Sequence, residues 1–289
     1  MSNSRCSCDE NGNDFDARVA YDQLYQKYTQ LADIMAAYMS EASMTRAARV
    51  ESAVSLAEVL SRIVGGLPTD GYPECCLVGN NSRFFCTGIL VHPRVVLTAA
   101  HCNDGITRVG LNCKTQNDPQ MEMIPVQRVR SHPNYRPAND INDIAVLILP
   151  RDAVTPPIAM ATTQEMKNAM ETTLVGFGNN NFSATSGFGL KRQVSVGIDR
   201  HANIDEAEAQ FGFESDVEYT AGGNGRDTCT GDSGGPAYIV VDGVLKVAGL
   251  TSRPYRTFNQ PCGEGGVYTR VDVHRDFIRQ VAKESGIKL

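Results

Sequence analysis

The sequence predicts an all-β domain, a sandwich or a barrel, placed behind a helical N-terminal segment. Three observations carry this. Residues 14–63 contain neither Gly nor Pro, and their apolar positions recur at helical spacing. After Arg62 the texture changes to short β-branched runs divided by Gly and Pro. The chain closes on a stretch that returns to helical spacing.

In the first region Leu24, Tyr28, Leu31, Met35, Tyr38 and Ala42 step by four and three, as one face of an amphipathic helix does. A second series runs through Ala47, Val50, Val54, Ala57 and Leu60. Ala, Glu, Gln, Arg, Leu and Met dominate, all good helix formers. The spacing predicts one or two helices broken near 40–45, with an apolar face that needs a packing partner.

The second region carries "RVVLTAA", "IAVLIL", "TLVGF", "VLKVAGLTS" and "GGVYTRV". Runs this short between turn residues read as strands of a sandwich or barrel. The closing "VHRDFIRQVAKESGIKL" places Val273, Phe277, Ile278 and Val281 on one side of a final helix. Two parts follow: 1–62, a helical pro-segment or docking module, and 63–289, the β domain.

Bulk properties exclude several classes. A net charge of −6 argues against nucleic acid as the main partner, which would want a basic stripe. No apolar run reaches the roughly 18 residues of a membrane span. The opening "MSNSRCSCDENGND" lacks the apolar centre of a signal peptide. Seven of the nine cysteines follow position 62, and none there forms a zinc-type C-x-x-C pair. Disulfides in an oxidising compartment are the better reading, so a secreted or periplasmic location is expected, with an intracellular one the alternative because the opening shows no signal peptide. The odd total leaves at least one thiol unpaired within the chain.

Three stretches carry chemistry. "LTAAHC" ends an apolar strand on His101, "NDIAVLIL" opens another on Asp143, and "GDSGGP" sets Ser233 among glycines. A serine hydroxyl needs a base to take its proton, and the base needs an anion to fix its tautomer. Glycines around Ser233 free the backbone N–H groups to face a developing oxyanion. Each stretch alone also fits a structural His, a turn or a tight loop; together they favour acyl transfer.

From Ile63 to about the C-terminus these motifs resemble the trypsin and chymotrypsin family of serine peptidases, in the same His, Asp, Ser order. The resemblance implies two six-stranded antiparallel β-barrels with a C-terminal helix. It implies His101 as general base and acid, Asp143 as its orienting anion and Ser233 as nucleophile. The N–H groups of Gly231 and Ser233 would form the oxyanion hole. "SRIVGG" implies a precursor cut between Arg62 and Ile63, the new Ile63 ammonium pairing with Asp232. Asp227, six residues before Ser233, would close a pocket for a substrate Arg or Lys. Thr228, Ser252, Gly265 and Gly266 would line or clear it. Disulfides Cys86–Cys102 and Cys229–Cys262 are implied.

The chain departs from the pattern at Ser252-Arg253-Pro254, where relatives carry Ser-Trp-Gly. Arg253 replaces an aromatic wall, and Pro254 has no N–H to offer a substrate backbone. The family's calcium loop would start near Leu111, which cannot bind the ion; Asp118 and Glu122 are nearby carboxylates, and no metal or other cofactor is expected. Cys75 or Cys76 is a candidate partner for Cys113, and the thiol left over for Cys6 or Cys8. The expected partners are peptide or protein substrates with Arg or Lys before the scissile bond, together with an activating protease or a recruiting protein; Arg62 fits the same specificity, so activation of one molecule by another is also chemically open. The competing reading is a silent or partner-dependent protease-like protein, recruited through residues 1–62.

Overall fold

The computed structural model describes residues 66–289 apart from 182, 257, 258 and 261. The expected N-terminal helices and the Arg62–Ile63 bond lie outside the described residues. The described residues belong to one of two compact units, Glu58–Leu289.

Among the described residues fourteen strands form two antiparallel sheets. The first sheet contains β2 (Cys75–Gly79), β3 (Phe84–His92), β4 (Val95–Thr98), β5 (Arg108–Leu111), β6 (Glu122–Pro125), β7 (Arg128–Ser131) and β8 (Ala145–Ile148). Its order is β6-β5-β2-β3-β4-β8-β7. β6 pairs with β5 and β7 with β8, yet only Val126 and Gln127 separate them. The single run 122–131 thus joins both edges and closes the sheet into a barrel of six runs.

The second sheet has the order β1-β10-β9-β12-β13-β14-β11. Its strands are β1 (Leu67–Pro68), β9 (Glu171–Gly176), β10 (Arg192–Gly197), β11 (Glu218–Ala221), β12 (Pro236–Val241), β13 (Val244–Pro254) and β14 (Gly266–Arg270). A bridge between Ile198 and Ala221 ties the end of β10 to β11 and brings the edges together. The two-residue β1 is an appendage on β10. The chain therefore has the two six-stranded antiparallel barrels that the family resemblance implies.

Burial explains the composition of the strands. β4 and β8 are buried at every position, which is why "VVLT" and "AVLI" lack alternation. β10 has one wet face and alternates accordingly. One apolar cluster fills the first barrel around Val78, Leu90, Val96 and Leu147. Another fills the second around Leu174, Val196, Tyr219 and Tyr268. A third joins Leu77, Ile89 and Val146 of one barrel to Val175, Tyr238 and Leu250 of the other. The candidate site lies on this junction.

Helices are few. α1 (Thr163–Asn168) starts on a capping box, in which Thr162 Oγ1 accepts from Glu165 N and Glu165 accepts from Thr162 N. α2 (Ile204–Ala207) runs into a wider turn at Glu208–Gly212. α3 (Arg275–Glu284) packs Ile278, Val281 and Ala282 inward, and Glu284 pairs with Arg128 of β7 at 2.8 Å. Val273 does not join that face. It sits in a 3₁₀ turn, Asp272–His274, whose tighter winding leaves it 39 % exposed and buries His274. Among the described residues no helix is long and apolar enough to cross a membrane.

Candidate active site

His101 follows β4 in a short 3₁₀ turn, Ala100–Cys102. Asp143 precedes β8, the neighbour of β4 in the sheet. That pairing brings the two motifs together. His101 Nδ1 lies 2.7 Å from Asp143 Oδ2, and the His101 N–H donates to Asp143 Oδ1 at 2.9 Å. The Asp143 side chain is fully buried, while the imidazole is 28 % exposed. Ser252 Oγ donates to Asp143 Oδ2 at 2.7 Å. Three donors therefore surround the buried carboxylate, which offsets the cost of removing it from water. Burial works against protonating His101, but the hydrogen bond and charge of Asp143 outweigh it and raise its pKa above the usual value near 6.5.

Ser233 belongs to the second barrel and is anchored to the first. Its carbonyl accepts from Thr87 N at 2.9 Å, and Thr87 Oγ1 donates to Gly231 O at 2.8 Å. Gly231 has φ +100°, and a Cβ there would strike the Phe188 ring. Gly234 has φ +75°, and a Cβ there would strike Thr98 and the Ala99 backbone. These two glycines are required by conformation and by space. Among the described residues no hydrogen bond joins Ser233 Oγ to His101, and the N–H groups of Gly231 and Ser233 have no acceptor.

Asp232 is completely buried. Its Oδ1 accepts from Gly178 N at 2.7 Å and its Oδ2 from Cys229 N at 2.9 Å. Burial pushes its carboxyl up to about 6.

Beside Ser233 lies a pocket of about 370 Å³ lined by Asp227, Thr228, Thr251, Ser252, Pro254 and Gly266 among others. Asp227 Oδ1 accepts from Thr228 N at 2.7 Å and Tyr268 OH at 3.3 Å; Oδ2 accepts from Gly265 N at 3.1 Å. Gly265 therefore holds the carboxylate, while Gly266 clears the space: a Cβ there would lie 3.3 Å from Asp227 Oδ1. Burial pushes the Asp227 carboxyl up to about 6 despite these donors.

Both implied disulfides are formed, Cys86–Cys102 behind His101 and Cys229–Cys262 beside the pocket. The bridge from Cys75 or Cys76 to Cys113 is not. Among the described residues all three are free and buried, and the proposed partners Cys6 and Cys8 lie outside those residues. Cys75 Sγ points to Val175 O and Cys113 Sγ to Gly110 O, so each is turned to a different acceptor. Burial pushes Cys113 up to about 12 and Cys75 and Cys76 higher still. We expect these three to resist alkylation at neutral pH until the domain is unfolded, as peptide mapping after pulse labelling will show. Rapid native labelling of Cys76 would contradict the packing.

Arg253 lines the pocket, but its guanidinium is not a free cation there. It turns aside to Glu218, with Nη1–Oε1 at 2.6 Å and Nη2–Oε2 at 2.9 Å, and Nη2 also donates to Gly212 O at 2.7 Å. Glu218 is fully buried, so this bidentate pair compensates both charges. Sequence reasoning missed Glu218, Thr87, Tyr268 and Asp140. The first three take their meaning from distant partners that no local pattern marks, whereas Asp140 sits beside its partners Tyr135 and Asp143 in a stretch that reads as a plain turn. Asp140 places a carboxylate oxygen within 4.8 Å of ligand atoms of both His101 and Asp143.

A family model described as Trypsin matches residues 63–278. Rat vitamin K-dependent protein C is 30 % identical over 254 residues, covering 80 % of this chain and 54 % of that protein. Trypsin-1 of Gadus morhua is 33 % identical over 229 residues, covering 75 % and 90 %. Trypsin-1 of Salmo salar is 31 % identical over 227 residues, covering 75 % and 89 %. The match spans about half the length of the protein C relatives, from rat and mouse. On motifs, fold and similarity together, the chain belongs to the trypsin family of serine proteases.

Proposed function

We propose that the chain is a serine endopeptidase made as a precursor, opened at Arg62–Ile63, that hydrolyses peptide bonds after Arg or Lys. The observation that carries this reading is the His101–Asp143 pair at 2.7 Å, set at the barrel junction with Ser233 and the Asp227 pocket.

In the proposed reaction Ser233 Oγ bonds to the scissile carbonyl carbon while its proton passes to His101 Nε2. Asp143 holds Nδ1–H, so the free nitrogen faces the serine. The carbonyl π pair moves onto oxygen, where the N–H groups of Gly231 and Ser233 receive it. Collapse breaks the C–N bond and expels the amine, which takes the proton from His101. Water then repeats the sequence on the acyl-enzyme and returns Ser233.

Asp227 supplies the anion for a substrate guanidinium or ammonium. Asp232 would take the Ile63 ammonium: a fully buried carboxyl whose charge is penalised by burial gains most from an inserted cation. Without that cation the loop around Gly231 lacks its tie, which makes cleavage a switch. Pro254 withholds one backbone donor from the substrate, a loss of about 1 kcal/mol in binding.

The test is labelling by a fluorophosphonate before and after cleavage at Arg62–Ile63. Labelling of Ser233 only after the cut supports the whole reading. No labelling after a clean cut would sink it. The pH profile is a second check. His101 must be neutral to accept the proton, and its pKa is raised. Activity on an Arg peptide should therefore fall as pH drops, with a kcat midpoint above 6.5 rather than below. Asn in place of Asp143 should move that limb down.

A further inference from the structure

We propose that a second cavity, walled by α1, α2 and β11, binds a small carboxylate with an aromatic or branched apolar body, and that its occupancy tightens the binding of Arg substrates. The effect on substrate rests on the reading above and deepens it.

The cavity has a volume of about 240 Å³. Met166 of α1, Ile198 at the end of β10, Ile204 of α2, Phe213 and Tyr219 of β11 give it an apolar floor. Such a floor takes the apolar body of a ligand. The charged groups around it sort into those already matched and those left over. Glu218 is held by Arg253, and Arg270 pairs with Asp272 at 2.7 Å. Asp199 Oδ2 accepts from Tyr255 OH at 2.6 Å, and His201 Nε2 lies 2.7 Å from Thr220 Oγ1. Lys167 and Arg200 remain, both exposed. Among the described residues Arg200 donates to the carbonyls of Lys167 and Ala169 and to no carboxylate, and Lys167 Nζ has no acceptor. Two cations without a counter-charge beside an apolar floor fit a carboxylate on an apolar body.

Three ties run from this cavity to the substrate pocket. Glu218 grips Arg253, whose neighbours Ser252 and Pro254 wall that pocket. Asp199 fixes Tyr255 through its hydroxyl; the Tyr255 ring packs on Gly265, where a Cβ would strike it, and Gly265 N donates to Asp227. Tyr219 stacks on Tyr268 with ring centroids 5.0–6.0 Å apart in the usual stacking range, and Tyr268 OH donates to Asp227 Oδ1 at 3.3 Å. A ligand that fits the cavity favours the arrangement in which these ties are made. In that arrangement Arg253 is drawn to Glu218 and Asp227 keeps its donors. Occupancy therefore favours the form that accepts a substrate Arg. It leaves His101, Asp143 and Ser233 as they are, so the effect falls on KM and not on kcat.

The probe is phenylacetate, with phenylacetamide as its neutral counterpart, at constant ionic strength. Calorimetry on the full chain, uncut and cut at 62–63, should give phenylacetate a Kd on the order of 1 mM, within reach of so small a ligand. Phenylacetamide should bind about fivefold more weakly, as for loss of exposed ion pairs. Lys167→Glu changes an exposed side chain. It should weaken phenylacetate by at least about fivefold and leave phenylacetamide within about twofold. On an Arg peptide, saturating phenylacetate should lower the KM of the cut enzyme by about fivefold at constant kcat. Phenylacetate bound no more tightly than phenylacetamide, or equally well by Lys167→Glu, would overturn the site and leave the Arg-directed protease standing. A KM that stays level or rises at saturation would overturn the coupling. No turnover of the Arg peptide under any condition would remove the protease reading and the coupling with it, while calorimetry still decides the site.

Discussion

Ser233→Ala is expected to lower kcat on an Arg peptide by roughly a million-fold, because nucleophile, base and anion act as a unit and loss of the nucleophile removes nearly all of their joint effect. The fold should survive. What ties Ser233 to the first barrel is its carbonyl, which accepts from Thr87 N at 2.9 Å, and Ala keeps that carbonyl. The side-chain oxygen makes no hydrogen bond among the described residues, and the residue is only half-buried. The change in unfolding free energy should therefore stay within about 0.5 kcal/mol, the range of substitutions away from packed or bonded positions. Parallel thermal melts and turnover measurements separate the two effects. Turnover near the unmutated rate in the variant would dismiss Ser233 as nucleophile. A large fall in melting temperature would mean that lost activity reports lost structure instead.

The parts of this site that the sequence made legible are those written in adjacent residues. "TAAHC", "NDIA" and "GDSGGP" each fix a backbone shape together with a reactive group. β4 and β8 read as strands because four consecutive apolar or small residues leave no wet face. What stayed hidden depends on residues far apart. Thr87 reaches Gly231 across 144 positions, and Arg253 reaches Glu218 across 35. Read alone, Arg253 is a long cation in a pocket mouth. Its position changes once a buried carboxylate on β11 competes for it. The Cys113 bridge failed for a similar reason. Counting thiols says which could pair, but packing turns Cys75 and Cys113 toward separate carbonyls. α1 carries a capping box in plain view at Thr162 and Glu165, but six residues are too few to show an apolar period.

Asp227→Ser should cut kcat/KM for Arg peptides by about a thousand-fold, the cost of leaving a buried cation without its charged partner. The loss should fall mainly on Arg and Lys substrates, since His101, Asp143 and Ser233 are unchanged. Stability gives an independent reading of the same carboxylate. Burial raises its folded pKa to about 6, against an unfolded value near 3.9, so the fold favours the protonated form. The stability this confers is fully present below the unfolded value. It is lost as pH rises from about 4 through 6, because the unfolded chain ionises first. Ser cannot ionise, so the variant should lose less stability than the unmutated chain over that window. Asp232, also raised to about 6, is pushed up in part by the Asp227 charge, so loss of that charge in the variant shifts the difference in the same direction. Working against the variant are the N–H groups of Thr228 and Gly265, which lose their acceptor. Each buried unsatisfied donor costs about 1–3 kcal/mol, so the variant starts lower at acid pH and closes the gap toward neutrality. Chemical denaturation at pH 4 and pH 7 measures that convergence. Parallel curves would show that Asp227 is not the desolvated acid described here. An undiminished Arg preference would place the specificity carboxylate elsewhere.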